Sequence, residues 1–156
     1  NHEFKWNAEH YLPVDETSIP TGILHPVKGT PFDFLEFHSV GERFDQVQNI
    51  TRGYDHCMVL VKPNNKKEMT RAVTVREPTT GRVMTVETSE FGCQFYSGNY
   101  LQKQIIAGGV EIDRNYGFCV ETQGFPDAVN HSHFPSIILN PGDVYNHATT
   151  HTFTTY

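Results

Sequence analysis

Glu121 is the residue whose placement in the sequence most invites a chemical reading. In the run Gly117-Phe118-Cys119-Val120-Glu121-Thr122-Gln123 it alternates onto one face with Cys119 and Gln123, leaving Phe118, Val120 and Thr122 on the other. A carboxylate in mid-strand among apolar neighbours loses hydration unless it is paired or faces a cleft. A cleft carboxylate of that kind suits a general base. An outward-facing glutamate on a solvated sheet face fits the same pattern. Asp55, in Gly53-Tyr54-Asp55-His56, stands after a glycine and before a buried apolar run. An acid at a strand mouth accepts hydrogen bonds from ligand hydroxyls, or closes an Asx-turn on its own backbone. Gln94 precedes Phe95-Tyr96-Ser97-Gly98-Asn99-Tyr100, where aromatics stand beside amides. Aromatic faces stack on sugar C–H faces and amides match pairs of hydroxyls, but an ordinary strand and turn has the same composition.

Histidine is abundant, at 9 residues, and His131-Ser132-His133 has a spacing that puts two imidazoles on one face of a strand. Pro141-Gly142-Asp143-Val144-Tyr145-Asn146-His147 is similar to the turn before a metal-binding histidine in cupins. The glutamate that a cupin carries after its HxH is missing, because Phe134-Pro135-Ser136-Ile137 follows. No metal site is therefore assigned. GxGxxG, P-loop, GxSxG and HExxH motifs are absent, so nucleotide, serine-hydrolase and zincin chemistry have no motif behind them.

The elements that must position these residues are strands. Thr70–Glu77 and Arg82–Thr88 alternate with period two, and Pro78-Thr79-Thr80-Gly81 between them reads as the turn of a hairpin. Cys57–Lys62 is a continuous apolar run, as expected for a strand buried on both faces. Further strands are expected at Cys93–Ser97, Gly117–Gln123, Pro135–Leu139 and Val144–Tyr156. Helical signal is confined to a short turn over Ser39–Asp45, with Ser39 as its cap. Phe4, Trp6 and Ala8 alternate in a strand at the very start of the chain. A strand there is expected to leave an edge and a tryptophan exposed, as a fragment of something larger would.

With 156 residues, 37% of them hydrophobic, one domain is expected, and its class is an all-β antiparallel sandwich. A formal charge of −6 argues against nucleic acid or an acidic membrane as partner, and Lys66-Lys67 reads as a solvated loop. The cysteines Cys57, Cys93 and Cys119 lack CxxC spacing and read as buried or half-buried thiols of a reducing compartment. No apolar run approaches the roughly 20 residues that span a bilayer. The triplets Asn49-Ile50-Thr51 and Asn130-His131-Ser132 match the glycosylation pattern by chance if the chain is cytoplasmic, which is the expectation.

The order of several motifs resembles the aldose 1-epimerase (galactose mutarotase) family. These are Tyr11-Leu12-Pro13-Val14-Asp15-Glu16-Thr17-Ser18-Ile19-Pro20-Thr21-Gly22, Gly29-Thr30-Pro31-Phe32-Asp33-Phe34 and Gly53-Tyr54-Asp55-His56. Gly92-Cys93-Gln94-Phe95-Tyr96-Ser97-Gly98-Asn99, Glu121-Thr122-Gln123, Phe125-Pro126-Asp127-Ala128-Val129-Asn130 and Phe134-Pro135 through Pro141-Gly142 continue the series. Where this chain has Glu90-Phe91, family members usually carry Gln-Pro. The resemblance implies that residues 1–156 are the C-terminal portion of a single β-supersandwich domain. It implies Glu121 as general base, Asp55 and Gln94 as ligands of the sugar hydroxyls, and a general-acid histidine further upstream. His2 is not given that role, because the register places Asn1-His2-Glu3-Phe4 after the family's Asn-His-x-Tyr-Phe motif. The implied reaction interconverts the α and β anomers of free hexoses such as galactose and glucose, with no metal or other cofactor. The remainder of the same polypeptide would complete the site, leaving the isolated fragment inactive and prone to associate. A sugar-binding protein of the same fold that has lost its acid is the alternative. A hexose-phosphate epimerase would want additional Arg or Lys at the cleft.

Overall fold

A computed structural model describes residues 1–47, 51–65 and 67–156, without the side chain of Asn65. Asn49 and Ile50 of the first glycosylation triplet, and Lys66, therefore lie outside the described residues. The described chain is built of antiparallel strands with three short 3-10 turns. The strands are β1 (Glu3–Trp6), β2 (Ala8–Tyr11), β3 (His25–Pro26), β4 (His38–Ser39), β5 (Asp55–Leu60) and β6 (Thr70–Glu77). They continue with β7 (Arg82–Thr88), β8 (Gly92–Tyr96), β9 (Gln104–Ile106), β10 (Val110–Ile112), β11 (Cys119–Gln123) and β12 (Thr149–Thr155). One five-stranded sheet runs β12-β7-β6-β1-β4 and a second runs β11-β8-β5-β2-β3, with β9 and β10 forming a separate ribbon.

The two large sheets pack face to face. Phe4, Trp6, Val73, Val75 and Val86 come from the first; Met58, Leu60, Cys93 and Phe95 come from the second, and all are buried in one cluster. Aromatic rings dominate its centre: Phe4 lies 4.7 Å from Phe95, and Tyr54 stacks on Phe95 at 4.9 Å. Such contacts add to area burial through edge-to-face and offset geometry. This is the expected all-β sandwich.

The chain start departs from expectation. β1 is an inner strand, paired with both β6 and β4, and Trp6 is 2% exposed, so neither an open edge nor a wet tryptophan results. The alternation of Phe4, Trp6 and Ala8 also spans two strands rather than one. Asn7 is the corner at which the chain leaves one sheet for the other. Its backbone N–H donates to Ala72 O at 2.9 Å, its carbonyl accepts from Val61 at 2.9 Å, and its amide donates to Arg71 O at 3.0 Å.

Other expectations fare unevenly. The hairpin β6–β7 has the bounds read from the sequence, and Glu77 caps its turn by accepting from Thr79 and Thr80. The short turn expected over Ser39–Asp45 forms at residues 40–43 and passes into a 3-10 turn at Phe44–Gln46, but Ser39 ends β4 and its hydroxyl accepts from Gly41 instead of capping a helix. Pro135–Leu139 is not a strand, and its Ile137, Ile138 and Leu139 are exposed. The run expected at Val144–Tyr156 pairs only from Thr149 onward.

Candidate functional site

Register brings the candidate residues together. β8 lies between β5 and β11, and its Gln94 pairs with Cys57 on one side and with Glu121 on the other. One step along β8, Tyr96 pairs with Asp55 and with Cys119. Directly paired residues of antiparallel strands share a face, so Asp55, Gln94 and Glu121 stand side by side on the face of the sheet turned away from the core. Gln94 Nε2 donates to Asp55 Oδ1 at 2.8 Å. The other amide atom, Gln94 Oε1, is buried and has no partner among the described residues. Glu121 is exposed, at the edge strand of the sheet.

The mouth of this face is held from behind. Asn99 is 2% exposed and spans the segment before Asp55. Its amide donates to Thr51 O at 3.0 Å and to Tyr54 O at 2.9 Å, while its Oδ1 accepts from Ser97 Oγ at 2.6 Å and Asn115 Nδ2 at 3.1 Å. Gly53, at φ +150°, leaves room for this: a Cβ there would collide with Asn99 Oδ1 and stand 2.7 Å from Ser97 Oγ. Asn99 and Phe95 therefore face the interior. Of the stretch Phe95–Tyr100, expected either to line a sugar cleft or to form an ordinary strand and turn, Tyr96 shares the outer face with Gln94 and Tyr100 is exposed.

Behind Asp55, His56 is 3% exposed, packed 4.5 Å from the Phe32 ring, and burial lowers its pKa to about 4. Its Nδ1 accepts from the Asp55 N–H at 3.3 Å. Burial likewise keeps the thiols of Cys57 and Cys93 protonated. Burial pushes Cys57 up to about 12, and burial with the neighbouring Cys57 and Glu121 pushes Cys93 up further. Cys119 is exposed, against the expectation of a half-buried thiol.

The two histidine motifs have different surroundings. Residues 131–133 are not in a strand; His133 Nε2 contacts Gly22 O at 2.8 Å and His131 Nε2 faces Asp127 at 3.3 Å. Among the described residues no group of three or more His, Cys, Asp and Glu side chains is placed to hold a metal. His147 instead meets Glu90, whose side chain is 1% exposed, at 3.3 Å. Lys67 reaches the same carboxylate at 3.0 Å and the Tyr145 hydroxyl donates to it at 2.9 Å. Lys67 is thus an ion-pair partner, not merely a loop charge. Burial alone would raise the Glu90 carboxyl, but Lys67 and Tyr145 outweigh it and hold the carboxyl below its ordinary range. Sequence reasoning did not single out Glu90 as a site member; its departure from the family's Gln-Pro was the available signal. Beside it opens a cavity of about 1000 Å³, lined in part by Phe91, Gln123, Phe125 and Tyr145. No helix among the described residues is long and apolar enough to cross a membrane.

Comparison with known proteins gives one answer. The family model for aldose 1-epimerase matches residues 1–152. Galactose mutarotase of Rattus norvegicus is 41% identical over 150 residues, covering 96% of this chain and 42% of that protein. Aldose 1-epimerase of Escherichia coli (strain K12) is 34% identical, covering 98% of this chain and 45% of that protein. The chain thus spans less than half the length of these relatives. The crystal structure of an aldose epimerase homologue from C. elegans superposes with a TM-score of 0.83 at 24% identity, over 99% of this chain and 46% of that one. At that identity it speaks for the fold.

Proposed function

The chain belongs to the aldose 1-epimerase family, and from that premise we propose that its open sheet face binds a free hexose such as galactose or glucose and serves the interconversion of its α and β anomers. The observation that carries this reading is the orphaned Gln94 Oε1, beside Asp55 and next in register to Glu121. A buried acceptor without a donor is costly, and a sugar hydroxyl supplies that donor. Asp55 accepts from a neighbouring hydroxyl, so the pair fixes the ring against β5 and β8.

Glu121, one strand over, takes the proton of the C1 hydroxyl. An acid from the upstream part of the polypeptide protonates the ring oxygen, and the C1–O5 bond opens to the free aldehyde. Rotation about C1–C2 presents the other carbonyl face, and closure returns both protons. Substrate and product differ only in configuration at C1, so acid and base each work in both directions. The reaction asks for proton transfer and positioning, and side chains supply both. The upstream polypeptide completes the site, residues 1–156 being the C-terminal portion of one domain, inactive alone, and the protein works in the cytoplasm.

Polarimetry of freshly dissolved α-D-galactose tests this in the full-length protein. Acceleration is expected, with a loss of at least ~10²-fold on Glu121→Gln. Sugar binding without acceleration would instead mark a binding protein of the same fold. An unchanged rate in Glu121→Gln would remove that residue from the base role.

A further inference from the structure

The strand that carries Glu121 is an edge strand, and beside the packing of Phe118 and Val120 on the core its attachment to the opposite sheet includes a chain of polar contacts that the proposed chemistry does not use. Thr122, whose side chain turns inward where Glu121 turns outward, meets Thr149 of β12 hydroxyl to hydroxyl at 2.7 Å. β12 is itself the edge strand of the other sheet, so this contact closes the sandwich along one side. Thr149 Oγ1 also contacts His147 Nε2 at 3.2 Å and Thr88 Oγ1 at 3.1 Å. His147 in turn leans on Glu90 through Nδ1 at 3.3 Å. The segment between is pinned by backbone as well: Ser89 N–H donates to Ala148 O at 3.0 Å, and Ala148 N–H donates to Ser89 Oγ at 3.0 Å.

The charged groups facing this chain are Lys67 on Glu90, where the neutral Tyr145 hydroxyl also donates, and Lys62, held nearby by Thr88 O at 2.7 Å and Thr70 Oγ1 at 2.8 Å. Glu90 thereby keeps a carboxylate partner for His147 in a place hidden from solvent. The imidazole is fixed at both nitrogens, and the Thr149 hydroxyl is aimed at β11 rather than free to rotate.

We infer that Thr149 is a positioning residue for the reaction: its hydroxyl, oriented by His147 and Glu90, fastens β11 at Thr122 and so fixes where the adjoining Glu121 carboxylate stands. This rests on Glu121 being the base. Asp55 and Gln94, on β5 and β8, are inner-strand residues and do not depend on the fastening, so the effect falls on the proton-transfer step and spares sugar binding.

The test is made in the full-length protein with Thr149→Val, which keeps the shape and removes the hydroxyl, and Thr149→Ser, which restores it. The valine variant is expected to lower kcat roughly tenfold with KM nearly unchanged, since small misplacements of a reacting group are costly. The serine variant is expected to recover the rate. Amide hydrogen exchange across residues 119–123 is expected to quicken in the valine variant and not in the serine variant, while β8 stays protected. Valine and serine variants equal in rate, a loss confined to KM, or unchanged exchange in β11 would each overturn the inference. Wild-type protein that fails to speed galactose mutarotation would sink the base reading instead, a result distinguishable from an active wild type whose Thr149→Val variant is indifferent.

Discussion

His56 shows what burial does to a single titratable group beside the site. Its folded-state pKa of about 4 lies below the ordinary 6.5. Between these values the unfolded chain binds the extra proton and the folded chain does not, so stability rises with pH through that window. The contribution is fully present above about 6.5 and is lost as pH falls towards 4; complete loss is worth roughly 3 kcal/mol. Urea midpoints measured at pH 7.5 and 4.5 will therefore diverge less in His56→Gln than in the wild type. A variant as acid-sensitive as the wild type would place the slope elsewhere. At this scale the sequence was only half legible. Glu121, Asp55 and Gln94 were each ambiguous by local pattern, because a carboxylate in a strand looks alike in a cleft and on a bare surface. What joins them is register across β5, β8 and β11, and register is a property of strand pairing that no single segment contains.

Asn99 makes the corresponding argument for an element. It ties the loop after β8 to the segment before β5, and Asn99→Ala will remove the amide that donates to the Thr51 and Tyr54 carbonyls and accepts from Ser97, leaving the Thr51 carbonyl without its buried donor. A loss of about 2–3 kcal/mol follows, measurable as a lowered urea midpoint; a change below about 0.5 kcal/mol would mean water replaces the amide. Elements whose information is local were read well: β6 and β7 alternate cleanly and carry their turn residues between them. Elements decided by distant partners were not. Pro135–Leu139 has strand composition but pairs with no strand among the described residues, and the opening alternation crosses a corner at Asn7 that periodicity passes over. Ser39 looked like a helix cap because its spacing to Glu42 is right, yet it lies at the end of a strand pair with β1.

For the whole molecule, two apolar regions stand open: Ile137–Leu139, and a groove of about 880 Å³ lined by Val75, Val83, Met84, Phe118 and Phe153 among others. Exposed apolar area of this kind drives association. Residues 1–156 expressed alone are expected to sediment as oligomers at micromolar concentration, and a monomer with a sharp cooperative melt would contradict this. Composition conveyed the class, one sandwich with an aromatic core, but not the strand order, since pairings such as β1 with β6 join residues far apart in the chain. That pairing also governs how the molecule can form. The hairpin β6–β7 closes over a short turn and is able to appear early, whereas Glu3–Trp6 must wait for Val73–Arg76. Contacts between remote segments form slowly, because loop closure precedes their reward. During synthesis Phe4 and Trp6 thus leave the ribosome well ahead of Val73–Arg76 and stay bare until that strand follows. The interval between is when a chaperone would have most to hold.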